Sequence, residues 1–503
     1  MTRPVLRRPP WLLPVAVALV LAVAIALRFI AFSALWLDEA QTVAIAHRTL
    51  PHLFDALRHD GSPPLYYVLL HGWMVVFGTG DVAVRSLSGV FSVLSLPLIW
   101  LAARRLGADR RLAWVAVLLL ATSPFAIRYA TETRMYSLVV ALWLAAFLAL
   151  ARWYDDGPWW SALLGALLVA ALVLTHYWSL FAIAVVGAGA LVVGIRGDRR
   201  GWRLLAVLAI GCLGLAPWLS SFVYQLRHTG APWGSPPSIG TAIGIPIGWA
   251  GVGPVGTEMV LALGYYALLV IAVVGVVHED GLLLKRLRRR VPELLIGIAF
   301  ATMLVGVIVS QIEGSAYALR YSAIAVAPFL LAVTWGVGVL RPPWRACAVT
   351  VAVVLGLVIG AGYPARTRTQ AKEVADALKL AGPTDSVVFC PDQLGPAVHR
   401  LAPDAGRQLV YPTMGSPEIV NWVDYKARNE AANPEAFARA VVGRTPPTAA
   451  IWLVYAADYP TFGNACTDLL VDFSIARGQP EPIVTEKRAP VEQDTVVRFI
   501  PKT

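Results

Sequence analysis

Apolar runs of roughly helix-spanning length, about 20 residues each, recur along this chain and leave it few ways to fold. About eleven such runs can be read, at residues 11–31, 84–103, 112–128, 135–151, 159–175, 178–195, 204–222, 257–277, 293–311, 321–340 and 344–363. No single soluble core accommodates them, and a composition that is 57% hydrophobic over 503 residues, with a mean hydropathy of +0.64, agrees. The expected fold class is therefore an α-helical polytopic membrane protein. A net charge of +11 would point to nucleic acid in a soluble protein. Here the basic residues cluster between apolar runs, where they act as topology signals, so nucleic acid is not an expected partner.

The same residues orient the chain. Arg3, Arg7 and Arg8 precede the first run, which is long for a signal-peptide core and reads as a retained anchor. A further apolar segment, residues 64–78, is short, begins after Pro63-Pro64 and contains His71. If it does not cross, Arg104, Arg105, Arg110, Arg111, Arg152, Arg196, Arg199, Arg200, Arg203, Lys285, Arg286, Arg288, Arg289, Arg290, Arg341 and Arg345 all fall in the cytoplasm, as the charge bias demands. If it does cross, many of them move outside. Residues 64–78 are therefore expected to lie on the outer leaflet, with Tyr66, Tyr67 and Trp73 at headgroup level. The result is a multi-pass cell-membrane protein with a cytoplasmic N-terminus and an extracytoplasmic C-terminus.

Two domains are expected: a transmembrane domain at 1–365, whose first outer loop covers 32–83 with juxtamembrane helices, and a small extracytoplasmic α/β domain at 366–503. In the second, helical runs at 370–381 and 433–442 alternate with β-like runs at 386–390, 407–411, 449–455 and 495–500. The four cysteines make no metal spacing. A Cys390–Cys466 disulfide is open to the chain if that region lies outside the cytoplasm.

Once the chain is oriented, its unusual polar residues share one side. Asp38 and Glu39 follow the first run. Tyr129, Glu132 and Arg134 sit between the third and fourth, His176 and Tyr177 join the fifth to the sixth, and Arg320 and Tyr321 open the tenth. Ionisable groups near a bilayer are costly without partners or a task, so their convergence points to a site. One carboxylate of the Asp38-Glu39 pair could take a proton from an acceptor hydroxyl, while the other orients that hydroxyl or holds a divalent cation. A plainer role is also open to them: Asp38 caps the helix that follows and Glu39 favours its positive end. Arg134 and Arg320 present the donor fork that suits phosphate, or else snorkel toward lipid headgroups. Glu132 either serves the site or pairs with a cation. His176 and Tyr177 are candidate substrate contacts, as are Tyr66 and Tyr67 in the stretch Asp60-Gly61-Ser62-Pro63-Pro64-Leu65-Tyr66-Tyr67, where Gly and Pro shape a rigid loop.

The acidic pair, the PPLYY segment, YATETRMYS, HY and RY, in this order and on one side, resemble the C-type (GT-C) glycosyltransferases. Within them the chain is most similar to the family of protein O-mannosyltransferases and aminoarabinose transferases, over roughly residues 30 to 340. The resemblance implies an inverting transfer of a mannose- or arabinose-type monosaccharide from a polyprenyl-phosphate donor. The acceptor would be a hydroxyl of a glycolipid, polysaccharide or protein outside the cytoplasm. Asp38 would be the base, Glu39 its support, and Arg320 with Arg134 and Tyr321 the donor-phosphate site. Several relatives carry aspartate where this chain has Glu132. The competing class is a transporter of lipid-linked sugars, which would need polar residues through the bilayer midplane and preferably a repeated half; neither is evident.

Overall fold

A computed structural model describes residues 11–500 apart from 231–233, 235, 252, 254, 255, 279, 280, 285–289, 314–316, 458 and 488–490. Arg3, Arg7, Arg8, Lys285, Arg286, Arg288 and Arg289 lie outside the described residues. A helix stands at each of the apolar runs. Among the described residues seven helices are long and apolar enough to cross a membrane, and Arg110–Ala121 with Pro124–Ala130, which meet at 54°, make an eighth if the bent pair is one span. The protein is thus a multi-pass membrane protein. Leu12–Ala26, Trp159–Val173 and Ser179–Ile195 are shorter, at 15, 15 and 17 residues. At 1.5 Å per residue they fall short of a hydrocarbon core of about 30 Å unless neighbours help, which separates them from the other expected crossings.

Residues 112–128 were expected to form one straight helix, and the bend has a local cause. Pro124 has no N–H to continue the first helix, and Ser123 caps the second by accepting from the Ala126 N–H at 3.4 Å. Carbonyls freed at the break need donors where water is scarce. Arg28, fully buried, supplies them: its guanidinium reaches Leu120 O at 3.0 Å, Ala121 O at 2.7 Å and Ser92 Oγ at 2.9 Å. The bent segment then delivers the chain into the turn that carries Glu132 and Arg134. Elsewhere the helices approach closely through small residues. A Cβ on Gly336 would sit 2.0 Å from the Leu268 carbonyl oxygen, so Ala323–Val339 could not pack as it does against Thr257–Val274 with any other residue there.

At one end of the bundle three basic loops meet. Arg105 pairs with Asp155, and Arg200 lies 3.0 Å from Asp156, which also pairs with Arg203. The turns bearing Asp38, Arg134, His176 and Arg320 gather at the other end, where the C-terminal α/β region also docks.

That region holds a five-stranded sheet in the spatial order Arg407–Val410, Ser386–Cys390, Ile451–Tyr455, Thr495–Phe499, Glu481–Val484. The first three strands are parallel and the last two join antiparallel. Helices Ala371–Leu378 and Pro434–Arg444 fall at the expected places. Glu481–Val484 escapes sequence reading because it is a short, half-exposed edge strand containing Pro482. Cys390 and Cys466 form a disulfide.

Candidate functional site

The first loop builds the floor of the site. Leu37–Ala46 forms a helix whose leading N–H groups need partners. Asp38 is not the cap, because the N-cap position belongs to Trp36. The Leu37 N–H instead donates to the carboxyl of Glu492, which reaches in from the C-terminal region. Burial, with Asp494 nearby, pushes Glu492 well above the usual carboxylate range. Leu50–Asp60 follows and closes on Gly61, whose φ of +87° is the left-handed conformation glycine tolerates. Leu65–Phe77 then packs against Leu37–Ala46 and Asp81–Arg105.

A cavity of about 400 Å³ opens above these elements. Asp38, Arg134, His176, Tyr177, Arg320 and Tyr321 all line it, so six of the side chains singled out from sequence converge. Asp38, 15% exposed, lies 3.2 Å from the Arg320 guanidinium. Arg320 also stacks over the rings of Trp36 and Tyr321, 5.5 and 5.6 Å from their centroids. Arg134 donates to Thr42 Oγ1 at 2.9 Å and to the Tyr67 hydroxyl at 3.2 Å. Tyr67 in turn donates to Asp60 at 2.9 Å, and Gln41 donates to the other oxygen of Asp60 at 2.5 Å. A continuous polar wall therefore runs through α-helix, turn and loop.

His176 sits between Tyr136 and Tyr321, ring centroids 5.8 and 5.5 Å away. Burial, reinforced by Arg134 and Arg320, pushes its imidazole down to about 3, so the ring is neutral. Nδ1 accepts from the Trp178 N–H at 3.2 Å, which assigns the ring proton to Nε2. The ring is thus a neutral donor. Tyr177 is tied by its hydroxyl to Gln225 and to Trp218, the latter at 2.9 Å, and shapes the wall.

The other residues singled out from sequence stand apart from the cavity lining. Glu39 is fully buried; both oxygens are taken by Arg85, at 2.7 and 2.6 Å, one also accepts the Thr133 N–H at 2.9 Å, and Arg368 lies 3.6 Å away. Burial alone would raise its carboxyl, but Arg85, Arg368 and the Thr133 N–H hold it below its usual value. Asp38 and Glu39 consequently face different surroundings rather than one shared ligand position. Glu132 is buried behind the cavity, 3.5 Å from Arg128. Tyr66 and Tyr67 are fully buried within the protein: Tyr66 bonds Ser88 at 2.8 Å, and Tyr67 acts through Asp60 and Arg134. Their hydroxyls find partners inside the protein. Among the described residues no three His, Cys, Asp or Glu side chains are grouped to hold a metal ion.

Sequence reasoning passed over Asp60, Gln41, Gln225 and Trp422 as cavity residues and Arg85, Arg368 and Glu492 as anchors. Asp60 had a signal, since it opens the Gly- and Pro-shaped stretch already noted. Trp422 had none.

In fold the chain resembles solved C-type glycosyltransferases. ArnT from Cupriavidus metallidurans, solved bound to undecaprenyl phosphate, superposes with a TM-score of 0.50 at 13% identity, over 98% of this chain and 99% of that one. Arabinofuranosyltransferase AftD from Mycobacteria superposes with a TM-score of 0.54 at 12% identity, over 97% of this chain and 40% of that one. The Archaeoglobus fulgidus oligosaccharyltransferase in its apo form gives 0.50 at 12% identity, over 88% and 69%. Residues 61–221 match the family model described as dolichyl-phosphate-mannose-protein mannosyltransferase. No curated protein sequence matches the chain. The resemblance to C-type glycosyltransferases therefore holds in fold along nearly the whole chain and in sequence over the segment that carries Arg134 and His176.

Proposed function

We propose that the protein is an inverting glycosyltransferase that moves a monosaccharide from a polyprenyl-phosphate donor to an acceptor hydroxyl on the extracytoplasmic side of the cell membrane. The observation that carries this reading is the Asp38–Arg320 pair, one carboxylate and one guanidinium 3.2 Å apart at the polar cavity. Single displacement needs a base for the attacking hydroxyl and a cation for the departing phosphate.

Arg320 engages Asp38. Phosphate arriving in the cavity competes for that guanidinium, with Arg134 on the same wall, and loosens the hold on Asp38. The acceptor O–H then gives its proton to the Asp38 carboxylate, and its oxygen forms a bond to the anomeric carbon. The bond from that carbon to the phosphate oxygen breaks with its electron pair, releasing polyprenyl phosphate with inversion. Charge grows on the departing phosphate during the step, so Arg320 stabilises the transition state more than the ground state. His176, through Nε2–H, is positioned to donate to the same phosphate or to a sugar hydroxyl. Phe181, Phe222 and Val309 supply an apolar wall suited to the first isoprene units.

The Cys390–Cys466 disulfide favours an oxidising compartment for residues 366–503. The gathering of basic loops at the opposite end favours a cytoplasmic location for Arg105, Arg200 and Arg203. Reconstituted vesicles supplied with polyprenyl-phosphate mannose or arabinose decide between transfer and transport. Transfer predicts a new glycosidic bond and free polyprenyl phosphate, with Arg320→Ala raising donor KM about tenfold or more. Donor crossing the bilayer with no bond formed, or unchanged donor kinetics in Arg320→Ala, would overturn the assignment.

A further inference from the structure

The C-terminal region does more than rest on the bundle: it completes the cavity. Trp422 lines it, although it lies 384 positions beyond Asp38 in the chain. Its backbone N–H donates to His59 O at 3.0 Å. Two residues earlier, both backbone groups of Val420 meet the Gln41 side chain, the N–H at 3.0 Å and the carbonyl at 3.4 Å. Two residues later the Asp424 N–H donates to His228 O at 2.8 Å. The strap 420–424 is thus held at each end and in the middle.

Gln41 links this strap to the reacting end. It stands three residues after Asp38 on one helix, so the two side chains share a face about one turn, or ~5 Å, apart. That spacing is close to the width of one sugar ring. Gln41 also fixes Asp60 at 2.5 Å, and Ser62 lines the same part of the cavity. The indole of Trp422 is only partly buried. An apolar ring face beside a fixed carboxylate and a hydroxyl suits the two surfaces a sugar presents: C–H groups on its faces and hydroxyls around its edge.

Resting on the transferase reading above, we infer that Trp422 and Asp60, both positioned by Gln41, form the acceptor subsite and that the acceptor is a carbohydrate, whose terminal ring lies on Trp422 with one hydroxyl directed to Asp38. Trp422 is then a specificity-determining residue contributed by the C-terminal region. A hydroxyl amino acid in a peptide offers no ring to cover the indole and is the disfavoured acceptor.

The full-length protein in vesicles tests this with a polyprenyl-phosphate sugar donor and two acceptor probes, short mannose or arabinose oligosaccharides and a serine-containing peptide. Trp422→Ala should raise the oligosaccharide KM by about tenfold. Trp422→Phe, which keeps a ring, should recover most of the loss and controls for folding together with the melting temperature. An unchanged oligosaccharide KM in Trp422→Ala, or better transfer to the peptide than to any oligosaccharide, would overturn the subsite. Should no donor be consumed by any variant, the transferase reading itself falls. Equilibrium binding of the oligosaccharides to wild type and Trp422→Ala then still decides the subsite, since equal affinity rejects it.

Discussion

Asp38 and Glu39 are the same kind of group on the same helix, yet their surroundings are opposite. Asp38 faces the cavity and keeps 15% of its side chain exposed beside Arg320. Glu39, rotated by about 100° around the helix, is fully buried and held by Arg85, Arg368 and a backbone N–H. A base must be reachable by its substrate, whereas a buried carboxylate with its oxygens occupied serves as an anchor. Glu39 ties together the first loop, the Asp81–Arg105 helix, the turn at Thr133 and the start of the C-terminal region. The pair therefore divides: one carboxylate faces the cavity while the other anchors the helix that carries it.

That division can be broken from either side. The largest effect is expected from Asp38→Asn, which should lower transfer by about 10²–10⁴-fold while leaving the melting temperature in detergent close to wild type. An active, well-folded Asp38→Asn protein would remove Asp38 as the base. The mirror image is Arg85→Ala, which leaves Glu39 buried without its main partner and should destabilise by about 3–5 kcal/mol. Thermal or denaturant unfolding would register it, and wild-type stability would contradict the anchor role. Glu39→Gln, which keeps a hydrogen-bonding side chain, should cost less than Arg85→Ala.

A smaller effect sharpens the comparison between the first loop and the C-terminal region. Burial raises Asp494 from 3.8 to about 7, so the folded state holds its proton where the unfolded chain has lost it. Its contribution to stability is present below 3.8 and is lost as pH rises through about 7. Glu39 has the opposite sign, since its carboxyl is held down and its contribution fades in acid. Melting temperatures from pH 4 to pH 8 should fall less steeply toward neutrality in Asp494→Asn than in wild type, and an identical slope would reject the assignment.

Much of the site was legible because charge bias sorts loops to one side of a membrane before any contact is known. That alone gathered Asp38, Arg134, His176 and Arg320. The exclusion of Glu39, Glu132, Tyr66 and Tyr67 from the cavity lining was not legible, because which face of a short helix meets a cavity depends on what packs against the other face. The bend at Pro124 was half-legible: proline announces a break, but Arg28, 92 positions away from Leu120, is what makes it stable.

By itself the sequence determined the membrane class, the places of the apolar helices, the α/β texture of the tail and the end of the bundle where polar residues collect, since these follow from hydropathy, periodicity and charge, which are local properties. Only the tertiary structure decided which polar residues face the cavity and which anchor, and that Trp422 and Glu492 return to the first loop. Those contacts join positions more than 350 residues apart, and no local pattern records them.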